Sequence, residues 1–209
     1  MREAAPATSQ TPTSTEARAT PWIGPEGQVM RRLELHLTYT CPERCVFCSE
    51  DHRMRDFRAF PVTWGRVATV LRTHASRGVT HIHLTGGEPS IHPRFLDVLR
   101  LSKRLGLSTS IGTIGTMLKR PELAREAMPL LDQALFSLHG PSAEIHDGLT
   151  RRAGSFEQVT AAIALAREFN PRMMVAVNTV LTRHNAELTR LCRGLYPSWA
   201  RWRARRAAA

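Results

Sequence analysis

Apolar and polar residues alternate with a period of two along several short stretches of the chain, and longer stretches between them repeat their apolar positions at helical spacing. From Arg32 to Tyr39, the residues Leu33, Leu35, Leu37 and Tyr39 fall on one side and Glu34, His36 and Thr38 on the other, as in a strand with one covered face. Runs at 79–85, 107–113, 133–138 and 173–181 predict further strands. The spacing between them predicts helices over 63–77 and 93–105, stopped by Gly78 and Gly106. Pro121 opens a short helix to about residue 128. Ser155 and Gln158 fit a capping box for a helix over 156–169, and Asn185 is placed to cap a last helix running to about 194.

Strand and helix in alternation build parallel βα units, so the fold class is α/β, an open parallel sheet with helices outside. Ligands of such folds collect at the C-terminal ends of the strands. If helices cover the greasy face, the opposite face receives Glu34, His36, Thr38, His81, His83, Ser137 and Asn178. Any one of those histidines is more readily a hydrogen-bonded structural side chain than a ligand contact. Residues 1–28, rich in Thr, Pro, Ala and Ser, are expected to be a disordered leader; residues 29–195 form the core domain. Residues 196–209 are a basic tail without an alternating face, which leaves the outer edge of the fifth strand unpaired.

Composition narrows the class. Nothing approaches a membrane span and no secretory stretch opens the chain, so a cytoplasmic protein without membrane attachment is expected. The formal charge is +11, but four of the arginines fall in the last nine residues and no nucleic-acid motif accompanies them, which disfavours nucleic acid as a partner. Three of the four cysteines, Cys41, Cys45 and Cys48, sit together in "CPERCVFC". That is no disulfide framework, and in a reducing compartment it points to metal or redox chemistry.

The cluster follows the first strand by two residues, on the expected functional rim. Three thiolates at C-x3-C-x2-C suit three irons of a [4Fe–4S] cubane. Zinc with Cys192 or His52 as a fourth ligand is the alternative, and inert or redox thiols a third. After the second strand comes "TGGEP", where Gly86 and Gly87 permit a close approach of backbone to ligand and Glu88 brings a carboxylate. By itself such a segment is as readily a plain connecting turn.

Taken together, C-x3-C-x2-C after the first strand and GGEP after the second, about 40 residues on, resemble the radical S-adenosylmethionine (radical SAM) enzymes over residues 33–195. The resemblance implies a partial (β/α) barrel. It implies that Cys41, Cys45 and Cys48 hold a [4Fe–4S] cluster whose open iron chelates S-adenosyl-L-methionine, and that one-electron cleavage of this cofactor starts hydrogen abstraction from a small-molecule or peptide substrate. A one-electron donor such as flavodoxin or ferredoxin is implied as partner. Phe47 matches the aromatic position beside the adenine, and Gly86, Gly87, Glu88 and Pro89 match the segment that binds the methionine amine. Ser137, Arg151 and Asn178 match cofactor-contacting positions on the fourth and fifth strands, although Arg152 stands beside Arg151.

Two departures from the family pattern stand out. Five of the six βα units are legible, which marks the core as C-terminally incomplete, and no cysteines for auxiliary clusters follow. Cys192 reads as a buried reduced thiol. Besides the enzyme, the sequence leaves open a zinc-binding interaction module without catalysis and an inactive truncated remnant.

Overall fold

The structure, a computed structural model, describes residues 22–23, 29–57, 59–60, 62–186 and 202–206, with the backbone alone for residues 22, 23, 30 and 202–206. Trp22–Ile23 (β1) pairs antiparallel with Val29–Met30 (β2) in a small unit of its own ending at Met30. Pairing thus reaches into the stretch expected to be a disordered leader, most of which lies outside the described residues.

The second unit begins with β3 (Arg32–Thr38), α1 (Asp51–Asp56), α2 (Trp64–Ser76), β4 (His81–Gly86) and a 3-10 turn, Pro89–Ile91. It continues through α3 (Phe95–Arg104), β5 (Ser108–Thr113), α4 (Pro121–Ala127) and β6 (Gln133–Ser137). Then come α5 (Ala143–Thr150), α6 (Ser155–Phe169), β7 (Met174–Leu181) and β8 (Trp202–Arg206). The strands form one sheet in the order β3-β4-β5-β6-β7-β8, and every neighbouring pair is parallel.

The period-two pattern explains the two faces of this sheet. Leu37, Ile82, Leu84, Ile111, Ala134, Phe136, Val175 and Val177 point to one side and are buried with Leu71 of α2, Leu99 of α3, Ala124 of α4 and Ile163 of α6. Burial of this apolar surface, at about 25 cal/mol per Å², is what holds helices to sheet. The residues between them are polar: exposed Glu34 and half-buried His83, Ser110 and Gln133 stand level across four strands. This is the open α/β sheet with outer helices that the alternation predicts. Five strands lie at the expected places. Beyond them, the backbone of Trp202–Arg206 pairs with β7 from Val177↔Trp202 to Leu181↔Arg206, on the edge expected to be bare. The stretch has no alternating face, but parallel pairing is a backbone property and needs none.

Gly78 and Gly106, with φ of +84° and +73°, stand just past α2 and α3 as the stop positions require. The capping box at Ser155 does not form. The N-cap of α6 is Gly154, and Asp147 of α5 takes over: its carboxylate accepts from Gly154 N (2.7 Å), Ser155 Oγ (2.8 Å) and Phe156 N (2.8 Å). A charged acceptor reaching three donors outcompetes a serine hydroxyl that reaches one. Gln158 instead donates to Ile114 O at 3.1 Å. Asn185 is fully buried and donates to His139 O (2.7 Å) and Val180 O (2.8 Å), so it ties two strand ends; the helix it was expected to cap lies outside the described residues.

Two buried imidazoles, His139 and His146, sit where β6 ends and α5 begins, stacked with ring centroids 5.7 Å apart. Each uses Nδ1 as an acceptor: His146 takes His139 N–H at 3.0 Å, and His139 takes Val180 N–H at 3.3 Å. Protonating either Nδ1 therefore breaks a buried hydrogen bond. Burial pushes His139 down to about 3, with the neighbouring His146 adding to it, and burial pushes His146 down to about 4. An unfolded histidine titrates near about 6.5, so between these values the unfolded chain binds protons that the folded one does not, and stability falls as pH falls. These two imidazoles should contribute a stability that is level above about pH 6.5 and declines below it, against an opposite contribution from Glu43, whose carboxyl burial pushes up to about 7. His139→Asn should show a shallower acid-side decline than wild type. A change between pH 7 and pH 5 equal in His139→Asn and in wild type would contradict this account.

Candidate functional site

The cysteine loop is fastened on two sides by its own backbone. On one side it lies along the segment after β4: Gly87 N donates to Thr38 O at 2.7 Å and Glu88 N to Thr40 O at 2.9 Å. No side chain fits between these segments. A Cβ on Gly86, whose φ is +123°, would stand 2.2 Å from Thr38 O, and one on Gly87 would stand 2.2 Å from Thr40 O and 3.0 Å from Cys41 N. The pair of glycines is therefore required to bring the two loops together.

On the other side the loop meets the C-terminal end of α5. Arg44 N donates to Thr150 O and Val46 N to Leu149 O, both at 3.0 Å, so carbonyls that a helix end leaves without partners are satisfied by the cysteine loop. Arg152 adds its guanidinium to Pro42 O at 3.1 Å. Arg151, the residue expected to contact the cofactor, is exposed and forms the left-handed C-cap of α5 with φ +53°. The αL geometry at the helix end swings Arg151 outward and leaves its neighbour facing the loop.

Glu88 carries a structural task of its own. It is fully buried, and its carboxylate accepts from Ser90 N (3.0 Å), Thr113 Oγ1 (2.8 Å) and Ile114 N (2.8 Å). With these three acceptor positions taken, the carboxylate braces the end of β4 against the end of β5 and keeps one further acceptor position on Oε2. Burial pushes its pKa up, against the pull of those hydrogen bonds. Pro89, also buried, starts the 3-10 turn that Glu88 caps.

Cys41, Cys45 and Cys48 are free thiols, each half-buried. Cys48 N donates to Cys45 O at 3.1 Å, and Arg44 donates to both Cys41 O and Glu43 O at 2.9 Å, which winds the loop into a compact turn. Burial pushes the Cys41 thiol up to about 12, against a backbone hydrogen bond from Glu43, and raises Cys45 and Cys48 as well, with the Glu43 carboxylate adding to the effect on Cys45. Glu43, 2% exposed, was not singled out from the sequence: it receives Cys45 Sγ at 3.3 Å on one oxygen, and its other oxygen, Oε1, has no partner. Burial pushes its carboxyl up to about 7. Only its place between two cysteines could have flagged it.

The donor set fits an iron–sulfur cluster. Three soft sulfurs are held on one short loop, in surroundings that penalise the bare thiolates and reward the cationic irons that would bind them. No three His, Cys, Asp or Glu side chains among the described residues are grouped for a single metal ion. A cubane has a different requirement, since each cysteine ligates a separate iron. A cavity of about 200 Å³ opens beside Cys41, lined by Tyr39, Arg44, Asp51, Met54 and Arg55. Of the alternative zinc ligands, His52 is exposed on α1 and Cys192 lies outside the described residues.

Phe47 is half-buried and meets the His139 ring edge-on at 4.5 Å. Ser137 and Asn178 are register partners on β6 and β7, both half-buried on the polar face near the strand ends. His83 donates or accepts with Ser110 at 2.8 Å, while His36 stands 3.6 Å from Glu34. The structure thus gathers the cysteines, Gly86, Gly87 and Phe47 at one rim, with Ser137 and Asn178 further along it, and leaves Arg151 outside.

Comparison with known proteins places these features. A sequence model of the radical SAM superfamily matches residues 35–190. The PqqA peptide cyclase of Rhodopseudomonas palustris is 31% identical over 156 residues, covering 74% of this chain and 40% of its own. GTP 3',8-cyclase 1 of Pseudomonas aeruginosa is 31% identical over 173 residues, covering 80% and 51%. The chain therefore spans about half the length, or less, of these curated relatives. Among solved structures, SuiB of Streptococcus suis, which has also been solved bound to its precursor peptide SuiA, superposes with a TM-score of 0.65 at 18% identity, over 86% of this chain and 40% of that one. At that identity the likeness concerns the fold.

Two substitutions test the construction of the rim. Gly87→Ala forces a Cβ into backbone, so it should cost about 2–3 kcal/mol of stability and sharply reduce iron uptake. A urea midpoint and iron content equal to wild type would refute the close-approach argument. Glu88→Ala strands three buried donors and should lower stability by about 3 kcal/mol or more. Were Glu88 only a cofactor contact, its urea midpoint without cofactor would not move.

Proposed function

The chain belongs to the radical SAM superfamily, and we propose that it is a radical SAM enzyme whose Cys41, Cys45 and Cys48 hold a [4Fe–4S] cluster with one iron open for S-adenosyl-L-methionine. One observation carries this reading: three free thiols lie on a loop docked to Gly86 and Gly87 by backbone hydrogen bonds that leave no space for a Cβ. When bound, cluster and cofactor supply a one-electron cleavage and a hydrogen-abstracting radical. A small one-electron carrier protein is the implied reductant.

The chain's own residues position and enclose. The glycine segment, Gly86 and Gly87, offers backbone at close range to a ligand beside the cysteines, and the Glu88 carboxylate that braces it keeps an acceptor position for an ammonium. Phe47 presents a half-buried ring for a flat base to lie on. Ser137 and Asn178 offer a hydroxyl and an amide from adjacent strands, suited to ribose or carboxylate oxygens. Arg152 keeps the loop in place from Pro42 O. The polar face below the rim, with Glu34, His83 and Ser110 level with one another, is the chamber for substrate. Because PqqA peptide cyclase is named for a peptide and SuiB has been solved bound to a precursor peptide, a peptide is the first class to test.

Anaerobic reconstitution should load about four irons and four sulfides per chain. Changing any of Cys41, Cys45 or Cys48 to Ala should abolish that content, and Cys192→Ala should retain it. With a reductant, the loaded chain should release 5'-deoxyadenosine from S-adenosyl-L-methionine. Stoichiometric zinc without sulfide would overturn the reading.

A further inference from the structure

On the polar face of the sheet, one imidazole is held by its neighbour in a way that fixes where its proton lies. His83 Nδ1 stands 2.8 Å from Ser110 Oγ, and the same hydroxyl donates to Ile82 O at 3.2 Å. A carbonyl oxygen only accepts, and a hydroxyl has a single proton to give. With that proton committed to Ile82 O, the Ser110 oxygen receives the proton of His83 Nδ1. The ring is therefore the Nδ1–H tautomer, and its Nε2 carries a bare lone pair. Burial lowers His83 to about 4, with Arg32 and His36 adding to the effect and Glu34 opposing it, so the ring is neutral at ordinary pH.

Among the described residues nothing uses that lone pair. The buried side-chain polar atoms without a partner are His36 Nδ1 and Glu43 Oε1, so His83 Nε2, which has none either, is open to an approaching group. Beside it lies a gap. A Cβ on Gly112 would stand 3.4 Å from Nε2 and 3.8 Å from Cε1, and the backbone of Gly112 has no positive φ that would itself demand glycine. Glu34, His83, Ser110 and Gln133 make one level of this face, and His36, Thr85, Gly112 and Leu135 make the next level toward the cysteine rim. Thr85 and Gly112, which follow His83 and Ser110 on their strands, are small, so a slender group can descend between them. Gly86 is three residues beyond His83, roughly 10 Å along the strand. Arg32 pairs with Glu34 at 3.6 Å, and Ser110 and Gln133 are uncharged, so this floor carries no net charge.

We propose that His83 Nε2 is a substrate contact, accepting a hydrogen bond from an uncharged N–H or O–H group, the amide or hydroxyl of a peptide side chain, that reaches the floor of the chamber past Gly112. The proposal rests on the reading of this face as the substrate chamber of a radical SAM enzyme. Selectivity follows from the tautomer. A carboxylate or phosphoryl oxygen would set lone pair against lone pair, and the neutral ring offers it no proton at Nε2. An ammonium would give up water for one neutral acceptor on a floor without net charge, which costs more than the contact returns. An uncharged donor loses least on leaving water and is matched by the lone pair. Ser110 is the positioning residue, since its hydroxyl decides which ring nitrogen stays bare.

The test is nitrogen magnetic resonance on the oxidised, cluster-loaded chain carrying isotope-labelled histidine, in which a bare ring nitrogen resonates far from a protonated one. His83→Gln identifies the signals of this ring by their loss. Nδ1 should be protonated and Nε2 bare. Two probes of one shape are then titrated in, N-acetylglutaminamide and the α-amide of N-acetylglutamate, which end in an amide and a carboxylate. The glutamine probe should move the Nε2 signal toward that of a hydrogen-bonded nitrogen, and the glutamate probe should leave it in place. Gly112→Ala sets a methyl against Nε2 and should abolish the shift while keeping the tautomer and the melting temperature of wild type. Ser110→Ala should let the Nε2–H tautomer appear and diminish the shift. A protonated Nε2 in wild type would overturn the proposal. So would a glutamine probe that leaves Nε2 unmoved, an equal shift with the glutamate probe, or a shift that Gly112→Ala retains. Iron and sulfide content of the same sample, measured first, reports separately on whether the chain holds a cluster at all.

Discussion

The contact between backbone at Thr38–Cys41 and backbone at Gly86–Glu88 is the constraint on which the rest of the site depends. β3 and β4 pair in steady register up to His36↔Thr85, and a shift then brings Thr38 opposite Gly86. The pairing is carried past the strand ends by Thr38 O to Gly87 N and Thr40 O to Glu88 N. Because the would-be Cβ positions lie 2.2 Å from carbonyl oxygens, the loops could not approach with any larger residues. The first cysteine is thereby referred to the sheet itself, and its position inherits the rigidity of a parallel ladder instead of the mobility of a free loop.

Glu88 extends that rigidity sideways. Its carboxylate gathers donors from its own turn and from the end of β5, so three consecutive strands are tied at one level. The arrangement is costly in electrostatic terms. Glu43 and Glu88 are both buried, and three thiols share their neighbourhood, each with its ionised form disfavoured by burial. Arg152 is the cation that reaches in, and its charge draws the Glu43 carboxyl back toward ionisation against the burial that raises it. A region so weighted toward negative charge is built to be completed by cations, and iron bound through sulfur is the form of cation its donor set favours.

Much of this was legible in the residues. Five strands and four helices were found within about two residues of their ends because each buries one regular face, and alternation or helical spacing records that burial directly. α1 and α5 left little trace: "DHRMRD" buries a single side chain, Met54, and α5 is eight residues long with Gly148 inside it. β8 was hidden because its pairing with β7 is made by backbone. At the site, the cysteines and the glycine pair were readable because spacing and residue type carry their chemistry. The bracing task of Glu88 was not legible, because sequence shows that a carboxylate is present and not which donors it meets. Arg151 and Arg152 differ only in which way a helix end turns, a property of φ and of no residue pattern.

The short helix that sequence hides proves to join the two halves of the rim. The last carbonyls of α5 accept from Arg44 and Val46 on the cysteine loop, while His146 within α5 accepts from His139 N just past β6, and His139 in turn receives Val180 N from β7. Phe47 closes the circuit by packing its ring on His139 at 4.5 Å. The first strand's loop and the strands that carry Ser137 and Asn178 are therefore coupled without direct pairing between β3 and β6 or β7, which stand on opposite sides of the sheet order. An open sheet alone leaves its first and later strands free to splay. With α5 wedged between the cysteine loop and the β6–β7 end, the rim keeps its curvature, and residues from distant strands can address one ligand with the geometry that a closed barrel would otherwise supply.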